Sequence, residues 1–165
     1  MITRSGKMQS KEGMKVYYSS EDLTWETPKE FYDLLNNEFN FTLDPCCVPA
    51  TAKCDTFFTP SDDGLAQSWE GHTVFMNPPY GREIVQWMHK AAEESVEHGI
   101  TVACLVPSRT DPKWWHDTVM NYGADVRFVK GRLKFGTNKT GAPFSSAVVI
   151  FAPWAKGRMT TMERK

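Results

Sequence analysis

From Ile100 to Val106 the chain reads I-T-V-A-C-L-V, apolar at almost every position. A strand with one wet face alternates apolar and polar residues, whereas a run like this one is typical of a parallel strand buried on both faces. Helical signals stand on either side of it. Upstream, Ile84, Trp87, Met88 and Ala91 fall on one helical face, and Gly99 follows as a C-cap. Downstream, Asp111-Pro112 opens another helix with Trp115 and Val119 on one face and Gly123 after it. Near the start, Thr27-Pro28-Lys29-Glu30 reads as a capping box with proline at the first helical position. It predicts a helix from Thr27 in which Phe31, Leu34, Leu35 and Glu38 keep helical spacing. Further strands are expected at Phe41–Leu43, Thr56–Thr59, Thr73–Met76, Asp125–Val129 and Ala147–Phe151. Strands that alternate with helices predict an α/β layer fold with a mainly parallel sheet, here closed by a terminal hairpin.

A length of 165 residues fits one such domain. The expected division is a flexible basic tail over 1–20, a folded domain over 21–154 and a basic C-terminal tail over 155–165. No apolar run approaches the ~20 residues a membrane span requires, and the polar start M-I-T-R-S-G-K-M is no signal peptide. A cytoplasmic protein without a membrane partner is therefore expected. Cys46, Cys47 and Cys54 lack paired C-x-x-C spacing and a nearby histidine, so no metal site is expected, and the cysteines read as thiols. The net charge of −1 does not announce a nucleic-acid binder. Its distribution says more: Arg127, Lys130, Arg132, Lys134 and Lys139 follow one another with no acid between them. A solvated surface is the competing explanation for such a run.

The sharpest motif is Asn77-Pro78-Pro79-Tyr80, set directly after an expected strand. An exocyclic amine on an aromatic ring is a poor nucleophile, because its lone pair is delocalised into the ring. Two acceptors on its two N–H groups pull the nitrogen toward a pyramidal geometry. The Asn77 side-chain carbonyl suits one N–H and the Pro78 backbone carbonyl the other. A following proline keeps both residues extended, and neither proline has an N–H that competes for the acceptors. Tyr80 offers a flat face for a planar substrate. With an activated sulfonium donor, such a site needs neither a nucleophilic residue nor a metal, and positioning with preorganised polarity does the catalysis.

With W-E-T-P at Trp25–Pro28, L-D-P at Leu43–Pro45, D-G-L at Asp63–Leu65, M-N-P-P-Y-G at Met76–Gly81, L-V-P-S-R at Leu105–Arg109, G-R-L-K-F at Gly131–Phe135 and A-P-F-S-S at Ala142–Ser146, the chain resembles the phage-type DNA N6-adenine methyltransferases, the small Dam-like group. The resemblance runs from about Trp25 to Pro153. It implies a Rossmann-like class I methyltransferase fold, S-adenosylmethionine as donor with S-adenosylhomocysteine as product, DNA as partner, and a bacterial host cell carrying a phage or prophage as the setting.

The resemblance also implies roles. Asn77, Pro78, Pro79 and Tyr80 form the catalytic motif. Trp25, Thr27, Pro28, Asp44, Pro45, Asp62 and Asp63 fall in cofactor-binding segments. Of these, Thr27-Pro28 would hold the methionine carboxylate, as a helix N-terminus can hold an anion, Asp44 the ammonium, and Asp62 or Asp63 the adenosine. Phe144 and Tyr80 would flank a base flipped out of the duplex. Arg109, Lys130, Arg132, Lys134 and Lys139 would contact the DNA backbone. One departure is plain: after the first strand, where related enzymes carry a glycine-rich loop, D-P-C-C-V-P-A-T-A-K has no glycine. Two other readings stand beside adenine N6 in DNA. One is another planar amine (cytosine N4, RNA adenine or a protein glutamine amide), and the other is a catalytically silent nucleic-acid-binding module that keeps the fold.

Overall fold

The computed structural model describes residues 25–165. In chain order its elements are α1 (Lys29–Phe39), β1 (Leu43–Asp44), β2 (Thr56–Phe57), β3 (Val74–Met76), α2 (Ile84–His98), β4 (Val102–Pro107), a helical segment α3 (Trp115–Met120), β5 (Asp125–Val129), β6 (Ser146–Phe151) and β7 (Met159–Met162). The strands form one seven-stranded sheet in the order β2-β1-β3-β4-β6-β5-β7. β2, β1, β3 and β4 are mutually parallel. β6 runs antiparallel to both of its neighbours, β4 and β5, and β7 is parallel to β5. The chain is thus a mixed α/β protein. Among the described residues no helix is long and apolar enough to cross a membrane.

The apolar run at β4 has its physical reason in the packing. Val102, Cys104 and Val106 join Trp87, Met88 and Ala91 of α2 on one side of the sheet. Ala103 and Leu105 join Phe31, Tyr32 and Leu35 of α1 on the other. Alternate residues therefore meet different helices, and the strand is buried throughout. Burying a Leu or Val in this way stabilises the fold by about 1.5–3 kcal/mol per side chain.

Several local expectations shift. The helix expected from Thr27 starts at Lys29; Pro28 is its N-cap residue and no side chain caps it. Leu34 faces solvent while Tyr32 is buried, so the inward stripe is Phe31, Tyr32 and Leu35. The strand at Phe41–Leu43 moves to Leu43–Asp44, and the one at Thr56–Thr59 shortens to Thr56–Phe57. Gly99 closes α2 in the left-handed region at φ 64°. The helix after Asp111-Pro112 is wound as a π-helix over Trp115–Met120, with the Asn121 N–H donating to the His116 carbonyl.

The tail expected over 1–20 lies outside the described residues. Residues 155–165, expected as a tail, contain strand β7. Asp125 ties that strand in: its carboxylate accepts from the backbone N–H groups of Lys156 and Arg158 at 2.9 Å each and pairs with the Arg158 guanidinium. An Asp125→Ala variant leaves those donors unmatched. We expect it to lose about 1.5–3 kcal/mol, seen as a lower denaturant midpoint, with exchange of the Met159–Met162 amides faster than in the parent.

Candidate active site

β1 and β3 are neighbours and parallel, so their C-terminal ends open on the same edge of the sheet. β1 ends in Asp44 and β3 delivers Asn77, the position where open α/β sheets bind ligands. A cavity of about 390 Å³ lies there, lined by Trp25, Thr27, Asp44, Cys46, Lys53, Asn77, Pro78, Pro79 and Tyr80 among others. Its size is within the range of small-molecule sites, roughly 300–1,000 Å³.

Asn77 is held at both ends of its side chain. Nδ2 donates to the Trp25 carbonyl at 2.9 Å and to Thr27 Oγ1 at 3.1 Å. Oδ1 accepts from the Tyr80 hydroxyl at 2.7 Å, and the Leu105 carbonyl lies 3.2 Å from the same hydroxyl. Burial holds the Tyr80 phenol well above its ordinary pKa, so it remains an O–H donor. The Cys46 thiol donates to the Asn77 backbone carbonyl at 3.4 Å. Around Tyr80 stands an aromatic wall. Phe144 meets it edge-on at 5.6 Å, Phe135 at 6.4 Å, and Trp25 packs on both Phe135 and Phe144.

Asp44 is 3% exposed. Its Oδ2 accepts from the Lys53 backbone N–H at 3.1 Å. The Lys53 ammonium turns instead to Glu26, at 3.0 Å, and no ion pair among the described residues reaches Asp44. Burial pushes the Asp44 carboxyl up to about 6, against the smaller downward pull of its backbone hydrogen bonds. A buried carboxylate on a cavity wall, short of a cation, suits an incoming ammonium group.

The other expected residues divide. Pro28, Pro45 and Phe144 do not line this cavity, and the Tyr80 and Phe144 rings meet edge-on at 5.6 Å, so the two do not flank a base as expected: the rings pack on each other instead. Asp62 and Asp63 lie outside the lining and are exposed: Asp62 accepts from the Thr59 N–H and hydroxyl, and Asp63 takes a left-handed turn at φ 54°. Their loop still comes close. A Cβ on Gly64 would meet the Pro45 carbonyl at 2.1 Å, so only glycine lets this loop lie over the end of β1. Residues not anticipated include Glu26, Cys46, Thr51 and Lys53. Three of them belong to the segment that stands in for a glycine-rich loop, where turn bonds from the Thr51 and Ala52 N–H groups to the Val48 carbonyl do the folding. The missing glycines were the signal that this loop would be built differently.

The basic residues also divide. Arg127 makes a bidentate pair with Glu38 on α1, and Lys130 pairs with Glu163. Arg109, Arg132, Lys134 and Lys139 are exposed and form no ion pair among the described residues. Lys134 and Arg132 flank a smaller cleft with Arg164 and Lys165. Among the described residues no three His, Cys, Asp or Glu side chains gather as a metal set.

Residues 14–165 match the family model described as DNA N-6-adenine-methyltransferase (Dam). A protein named DNA N-6-adenine-methyltransferase from Haemophilus phage HP1 (strain HP1c1) is 33% identical over 125 residues, 74% of this chain and 71% of that protein. With the Asn77–Tyr80 motif at the end of β3 and nearly the whole chain matched, the protein belongs to the DNA N-6-adenine-methyltransferase (Dam) family.

Proposed function

We propose that this chain transfers a methyl group from S-adenosylmethionine to N6 of an adenine flipped out of DNA, on a Rossmann-like class I methyltransferase fold. The observation that carries this reading is the Asn77-Pro78-Pro79-Tyr80 segment opening on the same cavity as the buried, cation-poor Asp44. The reversed strand β6 between two like-directed strands supports the fold assignment.

When bound, the cofactor supplies a methyl group already activated on a sulfonium. The chain holds and aligns. Asp44 takes the ammonium of the methionine part. Asn77 Oδ1 has a second lone pair beyond the one facing Tyr80 and accepts from the target amine. The Pro78 carbonyl takes the other N–H. Transfer would break the sulfonium S–C bond as the amine N–C bond forms, with S-adenosylhomocysteine leaving as the neutral thioether, and the methylated amine would release its proton to solvent, so no strong base is required. Trp25 and Tyr80, which line the cavity, pack the base, and Phe144 backs both rings from behind. DNA incubated with the protein and S-adenosylmethionine, digested to nucleosides and read by mass spectrometry, yields N6-methyladenine on this reading. N4-methylcytosine in its place, or unmodified DNA, overturns it.

Asp44 gives a pH-dependent prediction. Its folded-state value, about 6, lies above its ordinary 3.8. Ionised Asp44 therefore burdens the unliganded fold above pH 6, and this burden lifts as pH falls from about 6 toward 4. Ligand binding runs the other way, because an ammonium requires the carboxylate. Affinity for S-adenosylmethionine weakens below pH 6, by up to about tenfold per pH unit. An Asp44→Asn variant is expected to melt higher at pH 7.5, by up to about 3 kcal/mol of stability, and to bind cofactor more weakly. Thermal melts and calorimetric titrations over pH 5–8 check both signs, and a variant that melts lower with unchanged affinity removes Asp44 from the cofactor site.

A further inference from the structure

The amide of Asn77 has two chemically different ends, and only one orientation serves a target amine. The Trp25 carbonyl can only accept, so Nδ2 must face it, which sets Oδ1 at the opposite end, beside Tyr80. Thr27 completes the nitrogen end, with Oγ1 3.1 Å from Nδ2. Thr27 is 3% exposed, so water does not compete for this contact. Its position just ahead of α1 suits a helix cap, yet no side chain caps that helix. The hydroxyl faces a partner fifty residues along the chain instead.

We infer that Thr27 is a positioning residue for Asn77: it fixes the amide with its carbonyl oxygen presented to the target amine, and by accepting from Nδ2 it makes that oxygen a stronger acceptor. An amide whose N–H groups are both engaged is polarised, and chained hydrogen bonds reinforce one another in this way. The Trp25 carbonyl alone sets which end is which but leaves one N–H of Nδ2 unmatched, so the amide is held at a single point and is less polarised. The role differs from holding the cofactor carboxylate, because it acts on the methyl-accepting side. It rests on the proposed action of Asn77 on the amine.

The test is a comparison of Thr27→Val, which keeps the shape and removes the acceptor, with Thr27→Ser, which keeps the hydroxyl. At saturating S-adenosylmethionine, Thr27→Val is expected to lower kcat about tenfold or more. Its KM and calorimetric Kd for the cofactor stay at the parental values, and Thr27→Ser recovers most of kcat. If the valine variant does not fold, Thr27→Cys takes its place, since a thiol is a weak acceptor of similar size. A folded variant with parental kcat overturns the proposal. So does weakened cofactor binding with kcat intact, which makes Thr27 a cofactor ligand only, and so does a serine variant as slow as valine. Asn77→Ala run alongside separates the two levels. If it stays active, the action of Asn77 on the amine is lost; if it is inactive while Thr27→Val is normal, only the role of Thr27 is lost.

Discussion

An Asn77→Ala variant is expected to lose at least a hundredfold in methyl transfer while binding S-adenosylmethionine nearly as well as the parent. One preorganised polar contact to a reacting group carries about 2.7–4 kcal/mol of transition-state stabilisation. On the proposed reading the contact is the Asn77 side-chain carbonyl, which alanine lacks, while the Pro78 backbone carbonyl is already engaged with the other N–H. The substitution also leaves the Trp25 carbonyl, Thr27 Oγ1 and the Tyr80 hydroxyl without their shared partner. Tyr80 keeps an acceptor in the Leu105 carbonyl, so the aromatic wall stays closed. Stability is therefore expected to fall by about 1–3 kcal/mol, too little to unfold the chain. Single-turnover rates with the protein in excess over DNA, set beside a calorimetric cofactor titration, separate the two effects. A variant that keeps a tenth of the parental rate removes Asn77 from the chemistry.

How far the sequence could be read depended on whether a residue's partner was near it in the chain. β5 is legible at both of its ends, Asp125–Val129, and α2 is legible from its apolar face and Gly99, because those signals are local. The place of the Asn77–Tyr80 segment directly after a strand is legible for the same reason: the prolines set their own backbone. Thr27 is not. Four residues spell a capping box, but Asn77, fifty positions on, takes the hydroxyl, and the helix begins later. Tertiary contact overrode local propensity there. β7 is not legible either. Met-Thr-Thr-Met amid basic residues resembles a tail until Asp125, more than thirty residues upstream, captures the Lys156 and Arg158 amides. Asp62 and Asp63 could be read as adenosine ligands only by analogy, and their own hydrogen bonds and backbone show turn residues.

Neutralising Arg132, Lys134 and Lys139 together is expected to weaken duplex DNA binding and flatten its dependence on salt. All three are exposed and form no ion pair among the described residues, so their charge is available to phosphates. Each lost phosphate contact reduces the slope of log affinity against log salt by roughly 0.9. For three contacts, the loss of affinity between 50 and 200 mM salt becomes about fortyfold smaller than in the parent. Adding Lys130 to the set should change the slope by less than one further contact. Its ammonium already sits on Glu163, and a phosphate must displace that carboxylate first. Arg127 serves as the control: it is clamped to Glu38 and lies over Phe39, so Arg127→Gln lowers thermal stability and leaves the salt slope alone. Cofactor affinity is unaffected in the triple variant, since none of the three residues lines the Asp44–Asn77 cavity. Binding titrations at several salt concentrations decide the matter. A folded triple variant with the parental slope means that these side chains only cover apolar surface, and the DNA path must then be sought elsewhere on the rim of the cavity.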